Sequence, residues 1–281
     1  MPELLTRPTA RPLGTRYSEP SVLSWDNPDG RESLERPNAT FADVGLAFRR
    51  ARPGAELDLL DAFIAQFPYL APADCQITVF REPRLSSGFP DAVAVVWSPS
   101  ATLGWEQQRE DLTAADLRVM QLLVTQGHAT RTALLSLIGR RVSASLERLL
   151  AAGLAAESRD GWHARPLHEV FAVRDIIAVE AKIAQWTGAI DQATRNTWFA
   201  SRSYVLLPQL PKNDDVLRRA ASQGVGVWTL RGGAAVRELE SHKGPMPRSY
   251  ASWLFNEWVW RVANRTGGTL SSGRTTLGER R

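Results

Sequence analysis

Apolar and polar residues along the chain change period repeatedly, and each change predicts an element. From Glu56 to Phe67 the apolar positions Leu59, Leu60, Phe63, Ile64 and Phe67 recur at helical spacing and share one face. Cys75 to Phe80 alternates in the manner of a strand, and Ala92 to Trp97 is a short unbroken apolar run, the pattern of a strand covered on both faces. Between them, Glu82 to Asp91 holds the Gly and Pro of a turn and sets Asp91 at the mouth of the second strand.

The helical period then returns. Thr113 caps a helix reaching Gln126 with Leu117, Met120, Leu123 and Val124 on one side, and shorter helices follow over Arg131 to Ile138 and Ser143 to Ala152. Gly153 to His163 reads as a hairpin built on Asp160-Gly161. Beyond Asp175, strands (176 to 182, 203 to 207, 225 to 230) alternate with helices (186 to 200, 214 to 223). That alternation predicts an α/β fold with some parallel pairing. A last amphipathic helix, Ser249 to Val262, carries Trp253, Leu254, Trp258 and Trp260, whose rings suit core packing or a dimer surface better than base stacking.

Four boundaries follow. Residues 1–38, rich in proline and arginine without periodicity, predict a flexible arm, and 265–281, rich in Gly, Ser, Thr and Arg, a flexible basic tail. The helices and hairpin of 108–167 separate two pieces of different pattern, 39–100 and 168–264.

Composition narrows the function classes without choosing one. With 43% apolar and 23% charged residues the chain is that of a soluble globular protein. A net charge of +4 and a pI near 9.6 suit a polyanionic partner, although the excess is nearly all arginine, as GC-rich coding would also give. Cys75 is alone and the four histidines lack zinc-ligand spacing, so a reducing cytoplasm is expected. Neither a signal peptide nor a membrane-length apolar stretch is recognisable, and no membrane association is expected. No Gly-rich phosphate loop with a Lys-Ser/Thr pair appears, and Gly224-Val-Gly226 reads as a turn.

Against this background Lys182 stands out. It is one of three lysines among thirty-one arginines, and it ends the β-branched run Asp175-Ile-Ile-Ala-Val-Glu180-Ala-Lys182. In a strand, residues i and i+2 project together, so Glu180 and Lys182 share a face. A second carboxylate for an ion at Glu180 cannot be Asp175, which lies about 16 Å back along the strand. An adjacent strand about 4.8 Å away can supply it, and Asp91 is the candidate.

Pro90-Asp91 followed by Glu180-Ala-Lys182 on the next core strand resembles the PD-(D/E)xK motif of restriction-endonuclease-like and Holliday-junction-resolvase-like nucleases. The order helix, three strands, helix, strand is similar to that fold's core. The long stretch between the two motif halves departs from most members. It is accounted for by 108–167, whose three helices, hairpin and Leu149-Leu150-Ala-Ala-Gly153-Leu154 step resemble a winged helix-turn-helix.

The resemblance implies a mixed sheet flanked by helices, interrupted by that inserted domain, and a nuclease that hydrolyses DNA phosphodiester bonds with Mg²⁺ or Mn²⁺. Asp91, Glu180 and the Ala181 carbonyl would hold the ion, and Lys182 would act on water or phosphate. Gln192 matches a glutamine found in several branches, and Glu56 or Glu82 would be the additional acid. Duplex DNA would meet Arg140, Arg141, Ser143, Ser145 and Arg148 at the third helix and Arg159 at the wing. Two other readings keep the same residues: a non-catalytic DNA-binding regulator on a degenerate nuclease core, and an interaction module that recruits a partner subunit or second copy through its Trp-rich last helix.

Overall fold

Apolar runs of strand length, separated by amphipathic helices, assemble into a mixed α/β sheet with helices against both faces. The computed structural model describes residues 23–25, 34–35, 48–49, 51–67, 71–212 and 214–265. Helix α1 is Ala55–Ile64, and strands β3 (Gln76–Arg81) and β4 (Ala92–Trp97) follow it. After the helical segment come the short helix α5 (Leu167–Val170), β8 (Val173–Ala181), α6 (Trp186–Asn196), β9 (Arg202–Leu207), α7 (Asp215–Ser222), β10 (Gly226–Arg231) and β11 (Ala234–Leu239). The sheet runs β11-β10-β9-β8-β4-β3, and two short strands, β1 (Leu23–Trp25) and β2 (Leu34–Glu35), extend its edge. Strands β8, β9 and β10 are mutually parallel, whereas β4 is antiparallel to both β3 and β8.

The unbroken apolar run of β4 is explained by its place: all six residues are buried, between helices on the two faces. On one face Leu59, Leu60, Phe63 and Ile64 of α1 pack against alternate residues of β3, β4, β8 and β9. On the other, α6 and α7 cover β9 and β10 with Ala189, Ile190, Ala193 and Val216. β3 is buried on both faces although Thr78 interrupts its apolar side, because the Trp97 indole N–H donates to the Thr78 hydroxyl at 3.0 Å.

The intervening segment contains α2 (Ala114–Gln126), β5 (His128–Ala129), α3 (Arg131–Ile138), α4 (Val142–Ala151) and the hairpin β6 (Ala155–Ser158) and β7 (Gly161–Ala164). Its three strands are ordered β5-β7-β6. Gly161 is required there, since a Cβ on it would sit 2.6 Å from the Ala129 carbonyl oxygen and its φ is +136°. Asp116, in the first turn of α2, accepts from the Thr113 backbone and hydroxyl and from the guanidinium of Arg148 on α4.

The last helix, α8 (Tyr250–Arg265), joins this segment to the sheet. Trp253 donates to Gln121 of α2 at 3.0 Å, and Phe255 and Trp258 pack on Phe80. Of the two settings expected for these rings the structure shows core packing: Trp253, Trp258 and Trp260 are buried in the chain's own core. Arg109 and Glu257, both buried, complete the junction with paired bonds of 2.9 and 2.6 Å.

Other expectations shift. The helix expected over 186 to 200 stops at Asn196, and β11 was not foreseen, although Gly232-Gly233 is its turn signal. Two pieces of the expected arm pair with the sheet as β1 and β2; the rest of 1–38, and 266–281 of the expected tail, lie outside the described residues. Among the described residues no helix is long and apolar enough to cross a membrane.

Candidate active site

Strand register brings the two halves of the motif together. Ala92 of β4 is paired with Val179 of β8, and one further step sets Asp91 opposite Glu180. Residues so opposed have Cβ atoms about 5 Å apart and share a face. The Asp91 carboxylate also accepts the Ala181 backbone N–H at 2.8 Å, which ties the mouth of β4 to the end of β8. On the other side, Arg81 of β3 pairs with Ala92 and the Glu82 N–H donates to the Asp91 carbonyl at 3.2 Å. Glu82, Asp91 and Glu180 thus stand in a row across three adjacent strands.

Lys182 follows directly on β8, its backbone N–H bonded to the Leu206 carbonyl of β9 at 3.0 Å. Its ammonium donates to the Glu56 carboxylate at 3.1 Å and to the Ala181 carbonyl at 3.0 Å, and lies 3.9 Å from Asp91. Glu56 reaches it from the first turn of α1. Glu82 takes a different role: with φ at +46° it leaves the strand conformation, and its carboxylate is held by Arg49 at 2.6 Å.

The charges are poorly matched. Burial, reinforced by the Asp91 charge, pushes the Glu180 carboxyl up from 4.5 to about 8, against the Asn196 hydrogen bond and the positive charge of Lys182. Burial likewise raises Asp91, although Lys182 and the Ala181 N–H oppose it, and it raises Glu82 against the pull of Arg49. Burial disfavours the Lys182 ammonium too, but Asp91, Glu56 and Glu180 outweigh it and raise its pKa above the ordinary lysine value. Burial thus leaves a deficit of positive charge around the two opposed carboxyls, both of which are held above their ordinary values.

That deficit is what a divalent cation would relieve. Asp91, Glu180 and the Ala181 carbonyl form an all-oxygen set, suited to a hard ion that keeps several waters. Among the described residues no group of three or more His, Cys, Asp or Glu side chains is arranged to hold a metal.

Gln192 does not meet Glu180. It is half-buried on α6, and the side chain that bonds Glu180 is Asn196 one turn later, with Nδ2 2.7 Å from Oε1. In the helical segment, Arg140, Arg141 and Arg159 are exposed and Ser143, half-buried, accepts from Arg131 at 3.0 Å. Ser145 is buried and Arg148 is held by Asp116, so both serve the packing of α4 on α2.

Comparison with models of protein families, with curated proteins and with solved structures finds no match to this chain.

Proposed function

We propose that the chain is a metal-dependent nuclease that hydrolyses DNA phosphodiester bonds, built on a restriction-endonuclease-like core with a winged helix-turn-helix between its motif strands. The observation that carries the reading is the alignment of Asp91 with Glu180 across β4 and β8, with the Lys182 ammonium 3.9 Å from Asp91. The succession α1, β3, β4, β8, α6, β9, with β8 parallel to β9, supports it at the level of the fold. Asp91, Glu180 and the Ala181 carbonyl would hold Mg²⁺ or Mn²⁺, which supplies Lewis acidity toward the scissile phosphate when bound.

The chain's own residues account for the rest. Lys182 stays charged at neutral pH, with the carboxylates of Glu56 and Asp91 3.1 and 3.9 Å from its ammonium, and so would offset negative charge developing on the phosphate. Glu56 draws the ammonium toward α1 and fixes its reach. The duplex would be gripped through α4 and the hairpin, with Arg140, Arg141, Ser143 and Arg159 facing the phosphates. Arginine at position 182 would be bulkier and could not serve as a proton donor, so Lys182→Arg should not restore activity.

The test is conversion of supercoiled plasmid to nicked or linear DNA in Mg²⁺ or Mn²⁺. The wild type is expected to cleave, and Asp91→Ala, Glu180→Ala and Lys182→Ala to lose at least about 100-fold in rate. Cleavage persisting equally in all three variants would overturn the assignment. One observation favours a second reading, a DNA-binding regulator on the same core: Lys182 and Glu180 are each hydrogen-bonded within the chain itself, as a scaffold retained without the reaction would have them. Duplex binding without cleavage in any divalent ion would select that reading.

A further inference from the structure

We propose that Asn196 is a positioning residue that fixes the orientation of the Glu180 carboxylate for a divalent cation. The inference rests on the metal-dependent nuclease reading and adds a residue to it. Asn196 ends α6, and its Nδ2 donates to Glu180 Oε1 at 2.7 Å with both side chains buried. The helix end is held firmly. Ala189, Ile190 and Ala193 seat α6 in the core over β9, and the Asn196 carbonyl accepts from Phe199 and Ala200 in the turn that follows.

Asparagine is a weak helix former, and a buried amide is costly unless bonded, so packing alone gives no reason for it at this position. The amide N–H bonded to Oε1 fixes the plane of the carboxylate and leaves lone pairs on both oxygens for an ion. The terminal torsion of a glutamate is broad and nearly two-fold. Without Asn196 the carboxylate can turn to Lys182, and the geometry offered to the ion is lost. Partners that orient a metal-binding carboxylate change affinity about 10- to 100-fold when removed. Gln192, the residue singled out by the family resemblance, does not make this contact.

The experiment is a Mn²⁺ titration of the full chain followed by electron paramagnetic resonance, alongside thermal melting in chelator. Wild type, Asp91→Asn, Asn196→Leu (near-isosteric, without a donor) and Asn196→Ala are compared. The wild type is expected to show one saturable site that Asp91→Asn removes. Asn196→Leu and Asn196→Ala should remain folded and bind Mn²⁺ about 10- to 100-fold more weakly. If either variant folds and binds Mn²⁺ as the wild type does, the role of Asn196 is overturned while the metal site stands. If the wild type binds no Mn²⁺, or Asp91→Asn binds it equally, the metal site itself fails and the role of Asn196 with it.

Discussion

Glu180 is the residue on which the proposed chemistry turns. Its carboxyl is raised to about 8 by burial and by Asp91, so near pH 7 the ion-free protein holds a proton there. Because the folded-state value lies above that of the unfolded chain, this proton favours folding at low pH, and the contribution is lost as pH rises through about 8. Glu180→Gln removes the titration and keeps the shape. In chelator, the wild-type melting temperature is therefore expected to fall between about pH 6 and pH 9 more than that of Glu180→Gln. An equal fall in both would mean that Glu180 is already ionised at neutral pH. Asp91, Glu180 and Lys182 were legible in the sequence because strand rules are local: a period of two aligns Glu180 with Lys182, and the spacing between strands demands an acid from a neighbour. Asn196 was not legible. Its role depends on where the last turn of α6 meets β8, which neither helix propensity nor hydrophobic spacing encodes.

At the scale of elements, polar contacts decide which arginines are held within the fold and which the proposal leaves for DNA. Arg148 is fastened to Asp116, and the pair holds α4 to α2 at the start of the latter helix. Burial works against the Asp116 charge, but the bonds from Arg148, Ser145 and Thr113 prevail and hold its carboxyl below the usual aspartate value. Here the sign is opposite to that of Glu180: the stabilisation is present above about pH 4 and is lost as pH falls through the lowered folded-state pKa. Asp116→Asn is expected to cost about 1–3 kcal/mol, measured by urea unfolding at neutral pH, with a smaller difference in acid. A cost unchanged at pH 3 would contradict the charged role. Arg140 and Arg141 are exposed. Replacing both with alanine should lower the slope of log affinity for duplex DNA against log salt by about 1–2 and leave melting unchanged. An unaltered slope would remove them from the interface. The elements themselves were largely foreseen from their periods; β11 was not, because its mixed burial leaves no clear alternation, and β1 and β2 were not, because runs of three and two residues are too short to show a period.

For the whole molecule, the sequence suggested a domain inserted between two core pieces, and in the structure that segment shares an apolar cluster with the sheet. Phe80, Val93 and Val95 of the sheet, Leu117 and Leu123 of α2 and Trp253 of α8 belong to a single apolar cluster. This was hidden because the tryptophan pattern of α8 says only that the helix is buried, and not by what. Trp253→Ala should cost about 3–5 kcal/mol and lower one cooperative unfolding transition that helical and sheet probes report together. Two separated transitions in the wild type would contradict the shared core. In the proposed nuclease, such a junction would hold the arginines near α4 in place relative to Asp91 and Glu180. The nuclease assignment is tested most directly by single-turnover cleavage of plasmid DNA at saturating protein. The wild type is expected to cleave in Mg²⁺ or Mn²⁺ and stop in chelator, and Glu180→Gln to bind the same DNA with unchanged affinity and leave it intact. Equal cleavage by Glu180→Gln, or none by the wild type in either ion, would contradict it.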